Sequence, residues 1–72
     1  MNENFKYRVE IYKGEVFIEN EKYKYIKDRK LFYNENQAKL YFQELLNSKE
    51  KGEKLRFYKK INRKWEIIEE VW

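Results

Sequence analysis

Few residues of this 72-residue chain carry side chains that can make or break covalent bonds. The chain has no Cys, His or Thr, one Ser (Ser48) and one Asp (Asp28). Nucleophilic catalysis needs an activated Ser, Cys, Thr or Lys with a base beside it. Ser48 falls at the end of a predicted helix, where a capping or surface role is the simpler interpretation. The sequence therefore predicts no nucleophilic site.

The chain also has few residues suited to acid–base catalysis, metal binding or phosphate binding. Glu69 and Glu70 are neighbours in a strand-like run, so their side chains point to opposite faces and cannot act as a carboxylate pair. A Mg²⁺ site needs clustered carboxylate oxygens, and a zinc site needs Cys or His ligands. The two glycines, Gly14 and Gly52, are too far apart to form a phosphate-binding loop. We therefore expect no enzymatic activity, no metal site and no cofactor.

Size and composition predict one small basic domain covering residues 1–72, with a net charge of +4. Seven Tyr, five Phe and two Trp supply large contact surfaces to a chain that has few reactive groups. Basic charge is concentrated in residues 22–30 and 49–64. No apolar run approaches the ~20 residues of a membrane span, and no signal-peptide core is present, so we expect a cytoplasmic location and no membrane partner.

The clearest predicted element is an amphipathic helix over residues 35–48. Asn34 is a favourable N-cap, and Gln37 follows at capping-box spacing. The apolar residues recur with a period of 3.6 and form one stripe: Ala38, Tyr41, Phe42, Leu45 and Leu46. Leu40 lies on the opposite side of this helix, where it is either an isolated exposed side chain or a contact for a partner.

Two strand-like runs follow, residues 54–61 and 64–71, and Asn62-Arg63 predicts a two-residue hairpin turn between them. This turn predicts cross-strand pairs between Arg56 and Glu69, Lys59 and Glu66, and Tyr58 and Ile67. The same register makes both faces of the hairpin apolar. One face would hold Leu55, Phe57, Ile61, Ile68 and Trp72, and the other Tyr58, Trp65, Ile67 and Val71. Because one helix covers one face of a sheet, the second face needs another explanation.

The N-terminal half contains further strands. Residues 5–12 alternate apolar and polar side chains, as a half-buried strand does. Residues 13–15 predict a turn, residues 16–18 begin a second strand, and residues 27–30 predict a loop between strand-like pieces. The number of strands between residues 14 and 33, and the sheet face that the helix covers, stay open. The predicted fold is α+β, with a small antiparallel sheet of about four strands, one amphipathic helix across one face, and the order ββ-α-ββ.

The surplus aromatic and basic residues predict a binding surface. An exposed apolar patch favours a protein interface, where Tyr, Trp and Arg dominate the binding energy. The alternation of basic and aromatic residues from Lys22 to Lys27 also suits a nucleic acid, because rings stack on bases and lysines neutralise phosphates. The predicted partner-binding residues are Tyr12, Lys22, Tyr23, Lys24, Tyr25, Lys27, Arg29, Lys30, Tyr58, Trp65 and Trp72. A homodimer with packed apolar faces is a third interpretation.

The stretch from Leu31 to Glu69 resembles small proteins of phages and mobile elements from A/T-rich bacteria. The resemblance rests on Phe32-Tyr33-Asn34 before the helix, on Ala38 with Tyr41-Phe42 within it, and on the hairpin around Tyr58-Lys59-Lys60 and Lys64-Trp65-Glu66. It covers about half of the chain. It implies a non-enzymatic inhibitor that blocks a host defence protein, such as a CRISPR nuclease, in the host cytoplasm. It transfers no functional residues.

Overall fold

The computed structural model describes residues 5–18 and 21–72. For residues 15–18 and 21–24 it describes the backbone alone. Its elements are strand β1 (Tyr7–Ile18), strand β2 (Glu21–Phe32), helix α1 (Glu35–Ser48), strand β3 (Lys54–Ile61) and strand β4 (Lys64–Val71). The strands form one antiparallel sheet in the order β2-β1-β3-β4. The predicted α+β fold and its ββ-α-ββ order are therefore confirmed. No helix of the described residues is long and apolar enough to cross a membrane.

Two long strands replace the shorter pieces predicted in the N-terminal half. The predicted turn at 13–15 is wrong, because β1 continues through it with register shifts near Tyr12. Gly14 has a φ of 147° there, a conformation that glycine adopts without a steric penalty, so the strand bulges and continues. The predicted loop at 27–30 is also wrong. Arg29 pairs with Glu10 and Lys30 with Val9, so these charged residues belong to an edge strand with solvent on its other side.

Helix α1 begins where the cap predicts. The side chain of Asn34 accepts hydrogen bonds from the backbone N–H groups of Asn36 and Gln37, at 2.8 and 3.2 Å. The helix packs over β1, β2 and β3. Its stripe meets the apolar side of the sheet in one core, whose buried members are Val9, Ile11, Phe32, Ala38, Phe42, Leu55 and Phe57.

The β3–β4 hairpin turns at the predicted residues. Asn62 and Arg63 both have positive φ, 51° and 67°, as a two-residue type I′ turn requires. The predicted pairs of Tyr58 with Ile67 and of Lys59 with Glu66 are confirmed. A bulge between Phe57 and Tyr58 then shifts the strand pairing by one residue in the half of the hairpin that is farther from the turn.

This bulge corrects two sequence predictions. Arg56 lies opposite Glu70 rather than Glu69. Val71 lies opposite Leu55 and packs against the core, whereas Trp72 lies on the other side of the sheet, next to Lys54. The predicted faces of Val71 and Trp72 are therefore exchanged, because one extra residue in a strand reverses the side on which later residues point.

Candidate functional site

The side of the sheet opposite the helix carries a layer of basic and aromatic side chains. Strand side chains alternate between faces, so Val9 and Ile11 enter the core while their neighbours point to the other side. We call this surface the cation–aromatic face. Its members are Arg8, Glu10, Tyr12, Arg29, Lys54, Arg56, Tyr58, Lys60, Trp65, Glu70 and Trp72.

A buried carboxylate lies at the centre of this face. Glu10 is only 2% exposed. Its Oε2 atom lies 3.2 Å from Nε of Arg8 and 3.4 Å from Nη1 of Arg29, and its Oε1 atom accepts a hydrogen bond from the Tyr12 hydroxyl. Burying an isolated carboxylate is costly, and two guanidinium groups with a hydroxyl donor offset that cost. Glu10 therefore organises residues from two neighbouring strands.

A chain of hydrogen bonds crosses this face from Glu10 on β1 to Glu70 on β4. Because the Tyr12 hydroxyl hydrogen is used by Glu10, the Tyr58 hydroxyl donates to Tyr12 across 3.0 Å. Arg56 in turn donates to the Tyr58 oxygen at 3.2 Å and pairs with Glu70 on β4. Burial, together with the hydrogen bond to Glu10, raises the pKa of Tyr12 well above its ordinary range. Tyr12 is therefore a neutral donor at every physiological pH.

Cations lie over the rings of this face. The guanidinium carbon of Arg8 is 4.1 Å from the ring centre of Tyr58 and 4.8 Å from that of Trp65. Lys54 Nζ lies 4.5 Å from the Trp72 ring centre and 5.5 Å from that of Tyr12. Such contacts contribute about 0.5–2 kcal/mol each, depending on how far the cation is desolvated.

Two further cations complete the layer, with Arg56 5.2 Å from the ring centre of Tyr12 and Lys60 5.3 Å from that of Trp65. Tyr12 and Tyr58 are each only 5% exposed as a result, although helix α1 lies on the opposite side of the sheet. The long stems of Arg and Lys cover apolar ring surface while their charged heads reach water. This layer explains how a sheet with one helix tolerates aromatic residues on both faces.

The face has an excess of positive charge and an apolar rim. Its defined members include five basic and two acidic residues, a net charge of +3. At the β4 end, Trp72 is 68% exposed and Ile67 is also exposed. At the β2 end, the exposed side chains are those of Ile26 and Leu31. Aromatic and apolar groups at the rim of a face with net positive charge have the composition that suits contact with an anionic surface.

The predicted partner-binding residues do not all share this face. Tyr12, Arg29, Tyr58, Trp65 and Trp72 belong to it. Lys30 lies on the helix side, over the rings of Phe32 and Tyr41, Lys27 pairs with Glu53 at 2.8 Å, and Tyr25 is exposed. The side chains of Lys22, Tyr23 and Lys24 lie outside the described residues.

Sequence reasoning missed six members of the face, namely Arg8, Glu10, Lys54, Arg56, Lys60 and Glu70. The available signal was the alternation in β1, where Arg8 and Glu10 occupy the same side as Tyr12. That signal alone places Arg8 and a carboxylate on one face, but it does not show that the neighbouring strand β2 supplies a second guanidinium group.

A shallow groove of about 480 Å³ lies on the helix side of the sheet, beside the N-terminal half of α1. Its walls include Phe5 and Tyr33, whose rings stack with centres 4.2 Å apart, and Leu40, which is 68% exposed. Leu40 is thus an exposed side chain that also lines an apolar groove. Nearby, Tyr41 donates a hydrogen bond to Asp28, and burial with this bond raises the pKa of Tyr41 to about 12.

The described residues contain no group of three or more His, Cys, Asp or Glu side chains arranged to hold a metal ion. The chain matches no protein-family model, and no curated protein or solved structure is significantly similar to it.

Proposed function

We propose that this protein is a non-enzymatic protein-binding module that docks its cation–aromatic face on an acidic surface of a partner. The observation that carries the proposal is the excess of cations over carboxylates on the sheet face opposite helix α1. Charge complementarity would orient the partner, and the exposed indole of Trp72 would supply an apolar anchor at the rim.

The arrangement of the rings supports a protein partner over a nucleic acid. Base stacking needs an exposed ring face, whereas the rings of Tyr12 and Tyr58 are buried beneath cations. The guanidinium groups of Arg8 and Arg29 are also held by Glu10. A preorganised layer of this kind loses little side-chain freedom on docking, which favours contact with another folded surface.

The resemblance to phage proteins supplies a finer form of the same proposal. In that form the partner is a bacterial defence protein, such as a CRISPR nuclease, and the module inhibits it by steric occlusion. A small rigid face that is complementary to an acidic surface is sufficient for that mechanism, since occlusion requires no chemistry.

Matched charge reversals test the docking face. Lys60→Glu combined with Trp72→Ala changes the face, whereas Lys51→Glu makes the same charge change at an exposed turn position outside it. Each variant and the native chain serve as bait for affinity capture from the native host, with mass spectrometry and a circular dichroism check of the fold. We expect a protein that the native chain and Lys51→Glu retain and the face variant loses. Equal recovery by all three would refute the face assignment.

Nucleic-acid binding is the second candidate, and the net charge of +3 on the face is the observation in its favour. A salt titration with single- and double-stranded DNA and RNA separates the two candidates. Phosphate contacts are strongest at low salt and weaken steeply as salt rises. Binding that follows this dependence and is lost in Lys60→Glu supports the second candidate, and absence of binding at low salt excludes it.

A further inference from the structure

The two edge strands of the sheet carry opposite charges. Strand β2 contains five basic and two acidic residues, a net charge of +3. Strand β4 contains one basic and three acidic residues, a net charge of −2. Among the described residues, each of these strands has one neighbour in the sheet, β1 for β2 and β3 for β4. Each therefore presents a row of backbone N–H and C=O groups on its outer side.

Strand β4 is the more open of the two edges. The helix packs over the other three strands and not over β4. Ile68 is 54% exposed, and Ile67 is also exposed. In the part of the chain that the structure describes, the carboxylates of Glu66 and Glu69 form no ion pair. The edge of β4 therefore exposes backbone groups, apolar side chains and unneutralised negative charge, all of which can contact a basic strand.

The directions of the strands make the two edges compatible. β4 is antiparallel to β3, β3 to β1, and β1 to β2, so β4 runs antiparallel to β2. When a second copy is placed beside the first in the same orientation, its β2 adjoins the first copy's β4 as an antiparallel neighbour. The helices of both copies then lie on the same side of one continuous sheet.

We propose that β4 of one copy pairs with β2 of a second copy in a head-to-tail contact. Pairing of two β2 edges would oppose like positive charges, and pairing of two β4 edges would oppose like negative charges, so both are disfavoured. Only the mixed pairing brings opposite charges together. A contact between two different surfaces does not close after two copies, so the assembly grows with concentration.

Sedimentation of the full chain over a range of concentrations tests the contact. We expect the average mass to rise with concentration and to fall when salt is added, since the contact depends on exposed charges. A monomer at every concentration would overturn the proposal. A dimer that does not grow would also overturn it, because a closed pair indicates packing of apolar faces instead.

Charge reversal at each edge gives the decisive comparison. Glu66→Lys with Glu69→Lys makes both edges basic, and Lys24→Glu with Lys30→Glu makes both edges acidic. Each variant alone should stay monomeric, and an equimolar mixture should associate, because the acidic β4 of one then meets the basic β2 of the other. The control for the first variant is Glu44→Lys with Glu50→Lys, which makes the same two Glu-to-Lys changes away from both edges. This control should assemble as the native chain does.

Variants that assemble as well as the native chain, or a mixture that stays monomeric, would contradict the edge contact. None of the substituted residues belongs to the cation–aromatic face. The test can therefore fail while the proposed docking function holds, and the reverse is also true.

Discussion

The guanidinium group of Arg8 lies over the ring of Tyr58 while its Nε atom contacts the carboxylate of Glu10. One side chain on β1 thus covers an aromatic ring of β3 and compensates a buried charge on its own strand. The open side of the sheet is consequently a packed layer rather than bare aromatic surface, and its integrity depends on a few polar contacts.

Arg8→Ala should destabilise the fold, because Glu10 would keep one guanidinium partner and Tyr58 would lose its cover. We expect a loss of roughly 2–3 kcal/mol in the free energy of unfolding, measured by urea denaturation. The matched control is Arg63→Ala, which removes the same side chain from the exposed hairpin turn. A comparable loss in both variants would contradict the role assigned to Arg8.

Tyr12→Phe should destabilise the fold by about 1–3 kcal/mol, because a buried carboxylate loses a hydroxyl donor. Tyr25→Phe removes a hydroxyl from an exposed ring and should be close to neutral. Thermal unfolding of the two variants beside the native chain measures the difference. If Tyr12→Phe were as stable as the native chain, the hydrogen bond to Glu10 would have no net value.

Tyr41 should make stability fall at alkaline pH. Folding raises the pKa of Tyr41 from its ordinary value of 10.0 to about 12. The main cause is burial, and the second is the hydrogen bond to Asp28. The stabilisation is therefore complete below pH 10 and is lost as pH rises toward 12. Denaturation at several pH values should show this decline, with a shallower slope in Tyr41→Phe. An unchanged slope would refute the assignment.

Glu53 should make the stability of the fold decrease at acid pH. Its hydrogen bonds with Lys27 and with the backbone N–H of Glu50 lower its pKa below the ordinary 4.5. The stabilisation is therefore present above pH 4.5 and is lost as pH falls through the lowered pKa. Glu53→Gln should flatten the acid side of the stability profile, whereas Glu35→Gln at the exposed start of the helix serves as the control. Identical profiles would contradict this contribution.

Arg63→Gly should stabilise the hairpin by roughly 0.5–1 kcal/mol, because a left-handed backbone is costly for arginine and not for glycine. Lys51→Gly in the exposed turn after the helix is the comparison, since a flexible residue gives no such relief there. Urea denaturation measures both. A loss of stability in Arg63→Gly would show that its side chain matters more than its backbone.

Local signals in the sequence determined the helix and the last hairpin. Asn34 and the apolar stripe through Phe42 define α1, and Asn62-Arg63 defines the turn, because caps, helical periodicity and tight turns depend on residues close together in the chain. The excess of aromatic and basic residues also predicted a binding surface, which stays a prediction, and five of the predicted residues lie on the cation–aromatic face.

Tertiary structure decided the rest, for reasons that involve distant residues. The strand order brings Arg8 beside Tyr58, which is 50 positions further along the chain. The bulge in the hairpin sends Val71 to the core and Trp72 to the cation–aromatic face. The bulge at Gly14 extends β1 into a long strand. Pairing between distant strands and a one-residue register shift leave no local pattern, yet they determine which side chains meet on each face of the sheet.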